Sequence, residues 1–435
     1  MKSWKLLIVA LVVAVVTACG NGNNKESGQP ASNGNNTENA GKAVEIVMLN
    51  SKGQIHEALE NAAQAFMNEN SNIKVNILTV PSGQSPFERA SVLYSSGTPA
   101  TLNMLDAGDI AKFKDKALDL SGEKWVKDLA APNELDGATL AFPFAVEGYG
   151  LVYNKAVVEK AIGGAFDPAS VKTLADLESL FQTIEKSGIS PILVGGMPWS
   201  LGNHFLPLSY AAQEGGDVAA FLASLKAGEA NLADNASFNG LMDTFDLMKA
   251  YNSGKKDPLS VTAENIAAAV ANGTSAFTFN GNWMISQLLE VNPDGEYAFL
   301  PVPIDNAINA KSAGAIAVGA TKQIFIDKSE STPEQQAAAK QFLEWFVYNE
   351  TGQDFLVNKM GIIPATSNNP LEPSDSLGKS IKSYMDSGLT VSFGANYVPG
   401  DHSKVIGASM QKYLADSTDR AGLAKEIEAF WKGKE

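Results

Sequence analysis

The chain has 435 residues, with 48 acidic and 33 basic side chains, a formal net charge of −15, three histidines and one cysteine. That charge excludes electrostatic attraction to nucleic acid or to anionic lipid headgroups. A lone cysteine excludes an internal disulfide, and Cys19 lies too far from His56, His204 and His402 in sequence to share a structural zinc site with them.

Lys2 and Lys5 precede an unbroken apolar run from Leu6 to Val16, and the small residues Thr17 and Ala18 follow. This is the order of a secretory signal. The run is too short for a spanning helix, which needs about 20 apolar residues. Val16-Thr17-Ala18-Cys19 resembles the bacterial lipobox, in which the cysteine is lipidated and becomes the mature N-terminus; the alternative is a plain cleaved signal. Gly20 to Gly41 holds no large apolar residue, so it cannot form a core. Residues 1–18 are therefore expected to be a signal peptide. Residues 19–42 are expected to be a lipidated cysteine and a disordered tether, attached to the extracellular face of a bacterial cell membrane.

From Ala43 onward the chain is long enough for two domains. Val44 to Leu49 reads as a strand. In the next segment Ile55, Leu59, Ala62, Ala63 and Phe66 recur on one helical face, and the alternation of Ile73, Val75 and Ile77 gives a second strand. This β-α-β unit favours a parallel pair. "TLNMLDAGDIAKF" reads as strand, loop and helix start, with Asp109 as N-cap. "TLAFPFAVEGYGLVYNKAVVEK" reads as strand, bend, strand and a helix from about Lys155. Helices are expected at Leu174–Ser187, Asp217–Lys226 and Ser237–Asn252. "SAFTFN" and "YAFLPVP" read as strands, and "AGAIAVGA" as a closely packed one. Thr332, Pro333 and Gln335 signal a capped helix that runs to Gly352. Leu423, Ile427, Phe430 and Trp431 make a final apolar stripe. Helices alternating with strands place the chain in the α/β class.

Reactive constellations are missing from the sequence. It has no H-E-x-x-H, no P-loop, no dinucleotide-binding glycine motif opening a helix, and no G-x-S-x-G elbow. The three histidines are scattered, with His204 and His402 read as loop residues. A pair of carboxylates for glycoside hydrolysis is open by count alone. No enzyme activity, cofactor or metal is expected.

Ligands of open α/β sheets bind beyond the carboxyl ends of strands. Those ends carry Asn50-Ser51-Lys52, Asp106 to Asp109, Glu147-Gly148-Tyr149, Pro198-Trp199 and Asn280-Gly281-Asn282-Trp283. Carboxylates and amides match sugar hydroxyls in pairs, and an indole matches a sugar's C–H face. An amino acid or phosphate ligand would call for a committed arginine.

These residues carry a resemblance. "FPFAVEGYGLVYNKAVVEKA", "GTSAFTFNGNWMISQL", and "AGAIAVGA" followed by "AAAKQFLEWFVYNETGQDFLVNKMGIIPA" resemble, in that order, segments of the extracellular solute-binding proteins of ABC transporters, family 1, which include maltose-binding protein. The resemblance implies the two-lobed periplasmic-binding-protein fold (type II), with a ligand cleft between lobes and a multi-strand hinge. It implies an N-terminal lobe of residues 43–146 and 299–358, and a C-terminal lobe of residues 147–298 and 359–435. Crossings are then expected near Val146, Phe299 and Ile363.

Carried over residue by residue, Trp283 is the stacking tryptophan, or else a core aromatic. Glu147 and Asp106 are sugar-binding carboxylates, with an exposed hinge acid and a helix cap as their alternatives. Asn50, Ser51 and Lys52 supply a polar cluster, and Asn280 belongs to the N-G-x-W motif. Trp199 is a second platform, although "GGMPWSLGNH" departs from the acid-plus-Tyr pattern of maltose binders. Gly314 opens the closing segment. Tyr397 and Asp401 stand where maltose binders place a nearby Trp, a departure that puts maltose itself in question.

The implied function is the carbohydrate-binding subunit of an ABC importer, a monomer that delivers its sugar to permease subunits. A surface glycan hydrolase and a ligand sensor for a receptor are the alternatives. Release of reducing sugar would mark the first, and neighbouring genes the second.

Overall fold

The computed structural model describes residues 43–81, 84–129 and 133–434. The expected signal, Cys19 and the tether lie outside the described residues. No helix among the described residues is long and apolar enough to cross a membrane.

Ten strands occur among the described residues: β1 Val44–Asn50, β2 Ile73–Thr79, β3 Leu102–Asp106, β4 Asn133–Leu135, β5 Ala138–Asn154, β6 Ser190–Ile192, β7 Ser275–Gly281, β8 Tyr297–Leu300, β9 Ile316–Ile326 and β10 Thr390–Ser392. They join in the order β2-β1-β3-β9-β5-β7-β6, with β4 and β8 paired to β5 and β10 paired to β9. The β1–β2 pair is parallel, as the β-α-β pattern predicts, and the intervening helix His56–Glu69 buries Leu59, Ala62, Ala63 and Phe66.

β5 and β9 run through both lobes. On β5, Phe142, Phe144 and Ala145 belong to a core with Ile46, Phe66 and Phe342. Tyr149, Leu151 and Tyr153, further along the same strand, belong to a core with Phe181, Phe205 and Phe277. On β9, Ile324 and Ile326 enter the first core, whereas Ala317 enters the second. Each strand therefore buries its two ends in different cores. A third segment joins at the same level, where the Val146 N–H donates to the Ile363 carbonyl at 2.9 Å.

β8 stays paired with the second half of β5, Leu300 facing Leu151 and Tyr297 facing Asn154. Beyond it, the Thr244 hydroxyl donates to the Pro303 carbonyl at 2.5 Å, and Leu300, Val302, Ile304 and Ala317 pack in the second core. The chain passes to the first core within β9.

Four local expectations change. The bend expected near Pro143 is not a break: β5 is continuous, and its register against β9 shifts between Pro143 and Val146. Pro143 has no N–H to give the ladder, and the irregularity re-aims the residues that follow. Asp109 does not cap a helix. It sits inside a 3-10 turn, Ala107–Phe113, where its carboxylate accepts from Lys112 Nζ at 2.6 Å. The helix begun by the Thr332–Gln335 capping box stops at Tyr348, because the Asn349 side chain caps a new short helix, Glu350–Asp354. His402, read as a loop residue, instead opens the helix His402–Leu414 and is fully buried.

Candidate functional site

The strand ends and the two shared strands bring charged residues together. At the end of β1 the Asn50 amide closes on the backbone of Lys52: its oxygen accepts from the Lys52 N–H at 2.8 Å, and its nitrogen donates to the Lys52 carbonyl at 3.1 Å. Asn50 therefore braces Lys52. The Lys52 ammonium donates to one oxygen of Glu147, and the Thr321 hydroxyl donates to the other at 2.5 Å. Lys52 is 5% exposed and Glu147 6%, so this is a buried ion pair. Burial alone would raise the Glu147 carboxyl, but Lys52, Lys322 and the two hydrogen bonds hold it below the usual carboxylate range.

Asp106, at the end of β3, receives a hydrogen bond from Lys322 Nζ on β9. Burial would lower Lys322, yet Asp106 and Glu147 outweigh it and hold the ammonium above its ordinary value. Asp106 keeps 49% of its side chain exposed and so remains open to a ligand. Ser51 Oγ is buried without a hydrogen-bond partner among the described residues.

A second group is aromatic. The segment Trp199–Phe205 after β6 is a π-helix, and it packs backbone to backbone on the helix that holds Gly407. A Cβ at Gly202 would fall 2.7 Å from the Gly407 nitrogen, so both positions need glycine. Trp199 and Trp283 lie 6.1 Å apart between ring centroids, and the His204 ring lies 4.9 Å from Trp283 and 5.6 Å from Trp199. Tyr149 and Phe393 back the histidine at 5.1 and 5.5 Å.

The Trp283 ring lies across Gly281, where a Cβ would meet it at 2.1 Å. This close approach explains the glycine of the N-G-x-W stretch. Asn280 turns its side-chain oxygen back to the Gly281 N–H at 2.9 Å, and Asn282 accepts from the Gly148 N–H at 3.1 Å, tying the loop to β5. Gly281→Ala is expected to push the indole aside and cost about 1–3 kcal/mol by overpacking. Denaturant unfolding checks the cost, and near-ultraviolet circular dichroism checks the indole's displacement.

His204 is neutral at pH 7. Burial pushes its pKa down to about 4, against the opposing pull of the Trp199 carbonyl, Glu147 and Asp106. A carbonyl only accepts, so at 2.9 Å from the Trp199 oxygen Nδ1 carries the proton. Nε2 is then an acceptor beside two indoles.

Lys52, Glu147 and Asp106 thus come together, with Thr321 and Lys322 added, and Trp199 and Trp283 come together around His204. The remaining candidates are placed differently. Asp401 is committed to Lys434 Nζ at 2.5 Å. Tyr397 is 47% exposed beside the turn Gly394–Asn396, which presses on Gly108: a Cβ there would lie 3.0 Å from the Asn396 carbonyl oxygen. Gly314 ends a 3-10 turn before β9, and nothing lies within 4 Å of its Cβ position.

Sequence reasoning missed Lys322, Thr321 and His204. Lys322 and Thr321 sit in a strand pattern that offers no chemical signal. For His204 the clue was its five-residue spacing from Trp199, which only a widened helical turn converts into contact.

The fold recurs in solved sugar-binding proteins. A raffinose complex of the solute-binding protein RafE matches with a TM-score of 0.74 at 19% identity, over 90% of this chain and 99% of that one. The apo form of RafE from Streptococcus pneumoniae matches with a TM-score of 0.72 at 20% identity, over 90% and 98%. A sugar transporter protein of Bacillus licheniformis, in complex with stachyose, matches with a TM-score of 0.68 at 20% identity, over 89% and 99%. By sequence, an uncharacterised ABC transporter extracellular-binding protein of Pyrococcus horikoshii is 25% identical over 405 residues, 88% of this chain and 85% of its own. The model for bacterial extracellular solute-binding proteins matches residues 61–382. That match spans most of the chain: the chain belongs to the bacterial extracellular solute-binding protein family.

Proposed function

We propose that this protein is the lipid-anchored carbohydrate-binding subunit of an ABC importer, capturing a mono- or oligosaccharide by lobe closure and passing it to permease subunits. The observation that carries this reading is the pairing of an indole and imidazole group, Trp199–His204–Trp283, with the half-exposed carboxylate Asp106. Aromatic faces accept sugar C–H faces, and an ionised carboxylate accepts hydroxyl protons. Lys52 and Asp106 come at the ends of β1 and β3, and Trp199 and Trp283 follow β6 and β7; we assign the first pair to one lobe and the second to the other. A ligand touching both groups gains contacts only when the lobes close, so it shifts the population toward closure. The proposed anchor is Cys19 with its 19–42 tether, holding the protein at the extracellular face of the membrane.

Hydrolysis is disfavoured by the charges. A glycosidase needs one carboxyl raised to serve as general acid. Glu147 is held low, and Asp106 is bonded to Lys322.

The reading is tested by thermal unfolding of the purified protein against mono- and oligosaccharides, with amino acids and peptides as controls. A ligand at about 100 times its dissociation constant adds roughly 2.7 kcal/mol of stability, so stabilisation by a saccharide is expected. Stabilisation by a peptide or amino acid instead would overturn the reading. With the stabilising sugar in hand, Trp283→Ala is expected to weaken affinity by more than about tenfold, about 1.4 kcal/mol, with little loss of stability. Unchanged affinity by calorimetry would remove Trp283 from the site.

A further inference from the structure

The acids of the site come with an equal number of cations. Lys52 is bonded to Glu147, Lys322 to Asp106, and Lys112 to Asp109. Lys322 stands among all three carboxylates, since Asp106, Glu147 and Asp109 each act on its ammonium. His204, which feels Glu147, Asp106 and Lys322, adds no charge at neutral pH. These three pairs therefore sum to zero charge. Each of these lysines already holds a carboxylate, and each of these carboxylates a lysine.

From this pairing we infer that the site selects uncharged saccharides, and that Lys322 is the residue that enforces the choice. The inference rests on the carbohydrate-binding reading above. Lys322 donates to one oxygen of Asp106 and leaves the exposed side of the carboxylate to accept from hydroxyls. A uronate would bring a carboxylate against Asp106 and Glu147 with the nearby ammonium groups engaged. Its desolvation would go uncompensated unless a buried pair broke. An amino sugar donating to that exposed side would bring its ammonium against the Lys322 ammonium held at the same carboxylate. The overall charge of −15 further opposes the approach of anionic chains.

Lys322→Gln keeps a hydrogen-bond donor but removes the charge, leaving the lining one unit negative. Lys322→Arg keeps the charge. The test is calorimetry at pH 6 and low salt with matched trimers. Galactose, glucose, xylose and N-acetylglucosamine trimers are the neutral probes, the galacturonate trimer the anionic one, and the glucosamine trimer the cationic one. The wild-type protein is expected to bind at least one neutral trimer and to bind its charged counterpart at least tenfold more weakly. Lys322→Gln is expected to shift the cationic-to-neutral affinity ratio at least fivefold toward the cation, and Lys322→Arg to leave it unchanged. Wild-type binding of a charged trimer as tight as its neutral counterpart, or an unaltered ratio in Lys322→Gln, overturns this inference and leaves the saccharide reading standing. Binding of no saccharide, charged or neutral, overturns both.

Discussion

Lys52→Met is expected to destabilise the protein by about 3–5 kcal/mol, the usual cost of leaving one partner of a buried ion pair uncompensated. Lys52 is 5% exposed and its ammonium is bonded to Glu147, which is 6% exposed. Methionine fills the volume of the lysine stem but leaves Glu147 with the Thr321 hydroxyl and the more distant charge of Lys322. The carboxylate must then take up a proton or draw in water. The double variant Lys52→Met with Glu147→Leu removes both charges and is expected to recover most of the loss, because a buried pair exchanged for apolar groups is often neutral. Urea unfolding of the three proteins decides the matter. A single-variant loss below about 1 kcal/mol, the range of exposed pairs, would mean that water reaches the pair.

Stability is expected to fall by on the order of 4 kcal/mol between pH 7 and pH 5, from two histidines together. Burial pushes His204 down to about 4 and His402 to about 3. The His402 Nδ1 donates to the Asn203 side-chain oxygen at 3.2 Å, and its Nε2 accepts from the Tyr210 hydroxyl at 3.3 Å. The Tyr210 hydroxyl in turn accepts from the Trp431 indole N–H at 3.3 Å. A proton on Nε2 would break this chain.

The sign follows from the folded values lying below the ordinary value of about 6.5. As pH falls through 6.5 the unfolded chain takes up protons that the folded chain refuses, so stability drops; above 6.5 it is level. The depressed carboxylates, Glu147 and Asp327, act in the same direction but at lower pH, near and below the ordinary carboxylate range. The fall in stability from pH 6.5 to 5 therefore comes from the histidines, with the Asp375 carboxyl, raised by burial, acting the other way. His402→Gln should roughly halve the slope there. A flat urea midpoint across that window would show that both rings are already accessible to protons.

The parts of the fold that were legible in sequence are local. The β1–helix–β2 unit follows from apolar periodicity over about 35 residues. The Thr332–Gln335 capping box forms as its spacing predicts. In the N-G-x-W stretch, which singled out Trp283 by resemblance, the glycine has a physical reason: the indole lies over it.

What was not legible is set by topology. Lys52 and Glu147 are 95 residues apart, and Lys322 and Asp106 are 216 apart. In "GATKQIFI" the lysine reads as an ordinary polar position on a strand, and only the antiparallel β3–β9 register sets it opposite Asp106.

The central claim is that one ligand sits between the Trp199–His204–Trp283 group and the Lys322–Asp106 pair. The most direct measurement is a crystal structure of the protein with the saccharide that stabilises it most. The account predicts a sugar ring against the Trp283 indole and a hydroxyl within hydrogen-bond reach of Asp106, with the Lys322–Asp106 bond intact. A sugar bound away from both groups, or one that displaces Lys322 from Asp106, would contradict it.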